Sequence, residues 1–347
     1  MLPTLRTDVV SLFDLQLETH PARATVAAAP PAMPDRLAAR YAASFDWIFY
    51  RDDHNETNLP STRRLSLSGL ARDPRLIGAS ILVSEAFGAA VLSLWYRFEA
   101  SADPLDAKRS SWEGQPGVGE CMDRAKALGF REVDGERQYP FVAVRVPANG
   151  TELDAFVNDH AEEVGRLYTG GYDRERTQHL RALVETDVSW RRYEKLWVRW
   201  TDALAVYADD IDEDLYEDSL FRAVQAWEAC ILIRRMLRRL ALEADGVATR
   251  RLDPTRAFRA GGLVRLMSEI ERIYAVSPPV SSEEGRHLLE ACFERFGIQE
   301  LIEATRRRVE LVRQSAAWEN GLLLAGLGIL TYLVDLGIRI LGLLKTR

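Results

Sequence analysis

The sequence predicts an α+β cytoplasmic domain, a mixed sheet with helices, followed by a helical C-terminal region and a single C-terminal transmembrane helix. Three observations predict it. The stretch Gly321 to Leu344 (GLLLAGLGILTYLVDLGIRILGLL) is mostly apolar, and about 20 such residues rising about 1.5 Å each match a hydrocarbon core of about 30 Å. Runs rich in Ile, Val, Leu and aromatics, bounded by turn residues, fill the N-terminal half. From Asp214 onward the apolar spacing turns helical almost throughout.

In chain order, Val9 to Leu17 alternates as a strand, and the Ala/Pro-rich Ala22 to Pro34 reads as a loop. Leu76 to Ser84 and Ala89 to Phe98, separated by Glu85-Ala86-Phe87-Gly88, predict a β-hairpin. Polar, Gly- and Pro-bearing Ser101 to Gly119 predicts an exposed loop before a helix at Glu120 to Leu128. Phe141 to Val146 is a strand ended by Pro147, and Thr151 with Asp154 resembles a capping box opening a helix from Glu152 to Tyr168. The charged stretch Arg174 to Lys195 reads as helix and Leu196 to Tyr207 as β-prone, so strands and helices alternate up to a boundary near residue 210.

Residues 211–297 read as a helical region. Tyr216 to Glu243 carries an apolar stripe through Leu220, Val224, Trp227, Ile231 and Met236, with Arg234, Arg235, Arg238 and Arg239 near its end. A second helix, Pro254 to Tyr274, ends before Ser277-Pro278-Pro279, and Ser281 with Glu284 signals the start of another. After Gly297 the chain can continue as one helix. Over 298–320, Ile298, Ile302, Thr305, Val309, Val312 and Ala316 recur every three or four residues, a face that suits either a stalk or packing on the chain's own domain.

Within the span, 321–344, helical spacing gathers Gly321, Ala325, Gly328, Thr331, Asp335, Arg339 and Gly342 on one side, and most leucines fall elsewhere. Small residues let helices approach closely in lipid, and intramembrane ionisable groups usually face a bundle interior or a water-filled path. This predicts a membrane and oligomer face, with Asp335 and Arg339 neutralising each other. The alternatives are a tethered monomer whose Arg339 snorkels to the far interface, and an apolar helix buried in a soluble core.

MLPTLRTDVV places no basic cap before an apolar run and so lacks the form of a secretory signal. Arg306, Arg307, Arg308 and Arg313 precede the span, against Lys345 and Arg347 after it. The expected location is therefore a cell (inner) membrane, crossed once, with the N-terminal bulk cytoplasmic.

The composition narrows the function classes. A formal net charge of -7 and a pI near 5.5 argue against a nucleic-acid partner. Cys121, Cys230 and Cys292 are odd in number and widely spaced, which fits a reducing compartment. The five histidines, His20, His54, His160, His179 and His287, lack metal-binding spacing, and no phosphate loop, GxGxxG, GxSxG or CxxC motif is present. Gly170-Gly171 and Gly261-Gly262 read as turns or helix ends. The acidic run Asp209, Asp210, Asp212, Glu213, Asp214, Glu217 and Asp218 offers carboxylates for a hard cation without the spacing of a calcium loop, so whether it holds a metal stays open. Arg234, Arg235, Arg238, Arg239, Arg250 and Arg251 are solvated helix faces or an anion-binding surface. Asn55-Glu56-Thr57 and Asn149-Gly150-Thr151 match the glycosylation pattern but would lie in the cytoplasm.

The order of parts, a cytoplasmic α/β domain, a helical region, then a long helix entering the membrane near the C-terminus, resembles that of the CorA family of divalent-cation channels. The family's Gly-Met-Asn triplet and second span are missing here, so neither magnesium selectivity nor any site residue carries over. The resemblance implies a symmetric oligomer whose cytoplasmic domains gate a central helix bundle.

The expected function is a membrane-anchored oligomer, not an enzyme. Its cytoplasmic domain senses a signal or partner, and its tails act in the bilayer as an ion-conducting or membrane-disrupting effector. The lipid bilayer and further copies of the chain are the expected partners, with room for an accessory protein; no cofactor is expected. The alternatives are a tail-anchored adaptor that localises a protein-binding domain and a membrane-tethered enzyme using the acidic run and a metal.

Overall fold

The structure is a computed structural model that describes residues 2–17, 62–67, 75–99, 103–110, 116–133, 138–169, 182, 184–199, 201–249, 255–275 and 283–345. The chain divides into two compact units. One comprises Met1–Met236 and Arg272–Glu300 and carries the sheet; the other comprises Leu237–Glu271 and Leu301–Arg347 and is helical. A mixed α+β unit, further helices and one apolar C-terminal helix are thus present.

The sheet is built on β1 (Arg6–Leu17), which pairs antiparallel along its whole length with β4 (Ala89–Glu99). β3 (Leu76–Ser84) turns into β4 through the expected hairpin, where Gly88 takes a positive φ of 55° and its N–H bonds the Glu85 carbonyl. β2 (Thr62–Ser66) adds the outer strand. On the other edge of β1, β5 (Phe130–Glu132) pairs with Leu15 to Leu17 and β6 (Gln138–Arg145) with Arg6 to Phe13. β8 (Ala203–Tyr207) runs parallel to β6, and β7 (Glu194–Val198) closes that edge. Among the described residues the order is β2-β3-β4-β1-β6-β8-β7, with β5 beside β1.

Both faces of the sheet are covered, which explains why β3 and β4 read as largely continuous apolar runs. Val9, Phe13, Ile81, Leu92, Val142 and Val206 join one buried cluster with short helices. These are α1 (Pro104–Ser110), α2 (Pro116–Ala127), α3 (Leu153–Asp159) and α4 (Ala161–Thr169). The opposite face meets α5 (Glu213–Thr249): Trp95 stacks on Phe221 at 4.8 Å, and Tyr139 and Phe141 set their rings edgewise to Trp227. Phe296 of α7 (Glu283–Phe296) reaches the same indole.

Several expectations need correction. The predicted loop from Ser101 to Gly119 contains α1 and the start of α2, because Pro104 and Pro116 stand at first helical positions, where a missing N–H costs nothing. Asp103 caps α1 by accepting the Leu105 N–H at 2.9 Å. Thr151 does not cap α3; Asn149 Oδ1 accepts from both the Thr151 and Glu152 N–H groups. The single helix expected from Glu152 to Tyr168 breaks at His160 into α3 and α4. Leu196 to Tyr207 is two antiparallel strands. Of the helix expected over Arg174 to Lys195, residues 174–181 and 183 lie outside the described residues, and the chain from Glu185 to Tyr193 is turn and irregular. There Asp187 Oδ1 takes the Ser189 and Leu196 N–H groups at 2.9 and 2.8 Å and so competes with helical pairing. Gly261 and Gly262 lie inside α6 (Arg256–Ala275) and not at a helix end. The loop from Ala22 to Pro34 and the cap at Ser281 lie outside the described residues.

Gly297, at φ 59°, ends α7 and opens α8 (Ile298–Lys345), 48 residues long, or about 72 Å. Its face of Ile302, Thr305, Val309, Val312 and Ala316 is buried inside the helical unit. There Arg306 pairs with Glu271 of α6 and Arg308 with Asp245 of α5.

Trp227 is fully buried between sheet and helix, whereas Phe258 is 86% exposed. Trp227→Ala is expected to cost about 3–5 kcal/mol and Phe258→Ala almost nothing, measured as the shift in thermal unfolding of the detergent-solubilised chain.

Candidate functional site

The helix α8 changes character one turn after Ala316. An 18-residue window within Ile298–Asp335 has mean hydropathy 1.3, and 0% of it is buried against the rest of the chain. Leu322, Leu324, Leu327, Ile329, Leu330, Tyr332, Leu333 and Val334 are each more than half exposed. Among the described residues this is the one helix long and apolar enough to cross a membrane. Its backbone needs no partner, since a helix pairs its own N–H and C=O groups.

The residues that the sequence gathers on one face of the span all lie on this helix. Gly321, Ala325, Gly328, Thr331 and Asp335 are exposed, and nothing stands within 4 Å of a Cβ built on Gly321 or Gly328. Thr331 donates its hydroxyl to the Leu327 carbonyl at 2.8 Å, one turn back on its own helix. Arg339 and Gly342 continue the helix, and their side positions lie outside the described residues. Among the described residues nothing covers the part of this face from Gly321 to Asp335.

Just before the apolar stretch, Arg256 of α6 is buried to 5% exposure. Its guanidinium pairs with Glu319 of α8 and donates to Ser315 Oγ at 2.6 Å and to the Ala248 carbonyl of α5 at 3.4 Å. One arginine therefore ties three helices at the level where α8 turns apolar. Trp318, between those two contacts, is 71% exposed.

The family comparison gives this geometry no template: the chain matches no family model, no curated protein and no solved structure. Any role therefore rests on the residues themselves.

The sheet unit holds a second polar constellation, at the end where β1 begins. Asp8, 2% exposed, accepts from Arg6 at 2.6 Å, Arg97 at 2.9 Å and the Tyr216 hydroxyl at 2.7 Å. Glu213 pairs with Arg6 and Arg145, and Glu217 with Arg97. Arg6 lies over the Tyr216 ring, 4.6 Å from its centroid. Burial alone would lower the Arg6 guanidinium, but the Asp8 charge reverses this and raises it. Burial, then the Asp8 charge, push the Tyr216 hydroxyl well above its ordinary value. For Glu213 burial pulls upward, but the hydrogen bond from Arg6 and the charges of Arg6, Arg97 and Arg145 hold the carboxyl below its ordinary value. Sequence reading missed this cluster; the one local signal was a carboxylate at Asp8 inside an apolar strand.

The acidic run is occupied locally. Asp210 accepts the Gly150 N–H at 2.8 Å, Asp212 caps α5 through the Leu215 N–H at 2.7 Å, and Asp218 pairs with Arg222. No group of three or more His, Cys, Asp or Glu side chains placed to hold a metal occurs among the described residues. Of the histidines, His160 and His287 are described and the others are not; His287 stacks on Trp190 at 5.1 Å. Lys108, 2% exposed, donates to the carbonyls of Leu167 and Tyr168 at the end of α4. Burial lowers its ammonium below the ordinary value. The three cysteines are free and buried; burial pushes Cys121 up to about 12 and Cys230 well above its ordinary value, so neither of these two is a poised nucleophile.

Asp8→Asn leaves Arg6 and Arg97 facing a neutral amide, and unfolding free energy is expected to fall by about 3–5 kcal/mol. Because the folded Glu213 value lies below the unfolded one near 4.5, its contribution is full above that pH and is lost as pH falls through the folded value. Glu213→Gln is therefore expected to flatten the acid limb of the stability profile, read by urea unfolding between pH 3 and pH 7.

Proposed function

We propose that residues 321–344 cross a cell membrane once, with the sheet unit on the cytoplasmic side, and that several copies pack through the small and polar face of their tails. The cytoplasmic unit senses a signal or partner, and the assembled tails act on the bilayer as an ion-conducting or membrane-disrupting effector. The observation that carries this reading is the length of α8 that is apolar and that no other described residue covers. Eight large side chains more than half exposed forfeit on the order of 10 kcal/mol of transfer free energy in water, comparable to the stability of a whole domain. Against that, an Asp or Arg at the bilayer centre costs only about 3 kcal/mol on insertion scales. Lipid wins the comparison.

The excess of arginines before the span over basic residues after it supports the cytoplasmic placement. Asp335 and Arg339 stand four apart in the sequence, a spacing that lets opposite charges compensate within the span. Asp212 of the acidic run serves as a cap, and Asp209, Glu213, Glu217 and Asp218 as ion-pair partners. A second reading, a tail-anchored adaptor, draws on Thr331: a hydroxyl satisfied by its own helix asks for no neighbouring helix. In that reading any apolar tail suffices.

The full-length chain is expected to stay with membranes through alkaline carbonate washing and a version ending at Ser315 to be released; release of both contradicts the membrane reading. In detergent, light scattering is expected to give a closed oligomer for the full chain and a monomer for the truncated one. Replacing Asp335 and Arg339 with leucine is expected to reduce ion flux through vesicles to background while leaving insertion intact. Unchanged flux removes the conducting reading and leaves the adaptor.

A further inference from the structure

We infer that the helical unit touches lipid at a second place, the N-terminal end of α6, where Phe258 joins Trp318 of α8 at the headgroup level of the bilayer. The inference rests on the membrane reading above and names a contact that the span itself does not require.

A phenylalanine 86% exposed on an ordered helix leaves almost its whole ring in water. Two contacts of α6, one near each end, fix where that ring stands. Arg256, two residues earlier, is held by Ser315 and Glu319 of α8, so the start of α6 lies beside the turn of α8 that precedes Gly321. Glu271 near the other end of the described contacts meets Arg306, so α6 runs antiparallel to α8 and its first turn is its membrane-proximal turn.

Side-chain tilt then brings the two rings together in depth. Every Cα–Cβ bond leans toward the N-terminus of its own helix. On antiparallel helices the leans are opposite: the Phe258 ring leans toward the span, and the Trp318 ring leans away from it. Two residues of α6 rise only about 3 Å, so both rings occupy the level of residues 315–319. That level is just outside the apolar length, where tryptophan is enriched in membrane proteins, and the apolar Phe258 ring at the same level gains by leaving water. Arg259, also exposed, is placed beside Phe258 to meet lipid phosphate.

Lipid is the occupant because the patch is continuous in height with the uncovered span and carries a cation at its edge. Leu242, 68% exposed, is the contrasting case. It lies one turn before Asp245, which pairs with Arg308, and so stands further from the span.

The test places an environment-sensitive fluorophore at Phe258→Cys in the full-length chain, with Leu242→Cys and Leu327→Cys as references. The three native cysteines are buried and leave the label selective. Vesicles of phosphatidylcholine and phosphatidylglycerol carry a nitroxide either near the headgroup or midway along the acyl chain. The label at position 258 is expected to shift to the blue and to lose fluorescence on the shallow nitroxide, that at 327 on the deep one, and that at 242 on neither. A quenched label at 327 with an unquenched one at 258 overturns this inference and leaves the membrane reading standing, whether the ring is in water or against another copy. An unquenched label at 327 overturns both.

Discussion

An α-helix satisfies its own backbone, so the only demand that the apolar half of α8 makes on its surroundings is that they be apolar. Among the described residues nothing meets that demand. Up to Ala316 one face of α8 is buried against α5 and α6 in the helical unit; from Gly321 to Asp335 the described side chains stand exposed. The polar anchoring of the helix lies immediately before this change, in Arg256 and its contacts to Ser315, Glu319 and Ala248. Such a tie sets the direction in which the apolar length leaves the helical unit.

The sheet unit solves a different problem. Its central strand, β1, is buried on both faces and on both edges, yet it carries Asp8 at its start. A buried carboxylate is tolerated only when paired and hydrogen-bonded, and here two guanidiniums and a phenol do so, drawn from β1, β4 and α5. The same groups join the first turn of α5 to the sheet. This makes the cluster a structural clasp, and it accounts for Glu213 and Glu217, which the bare sequence offers equally well to a metal.

Much of the fold was legible because it depends on short-range pattern. The β3–β4 hairpin announced itself through two apolar runs around a glycine turn, and α5 through its stripe. What failed were positions where one residue type has two local uses. Pro104 and Pro116 break a helix interior but begin a helix well, and Asp187 and Asn149 bind backbone N–H groups that a propensity reading assigns elsewhere. The apolar length of the span was plain in the sequence. The Asp8 cluster was not, since Tyr216 and Asp8 are 208 residues apart and no spacing rule links them. The exposure of Phe258 was equally hidden, because an aromatic on a helix reads as core until its neighbours are known.

The proposed single crossing puts the end of α8 on the far side of a membrane from the sheet unit. Thr346→Cys tests it most directly, in sealed vesicles that carry the sheet unit outside, because the native cysteines are buried. A membrane-impermeant maleimide is predicted to label that position only after the vesicles are opened with detergent. Equal labelling of sealed and opened vesicles would contradict the claim and place the tail on the same side as the rest of the chain.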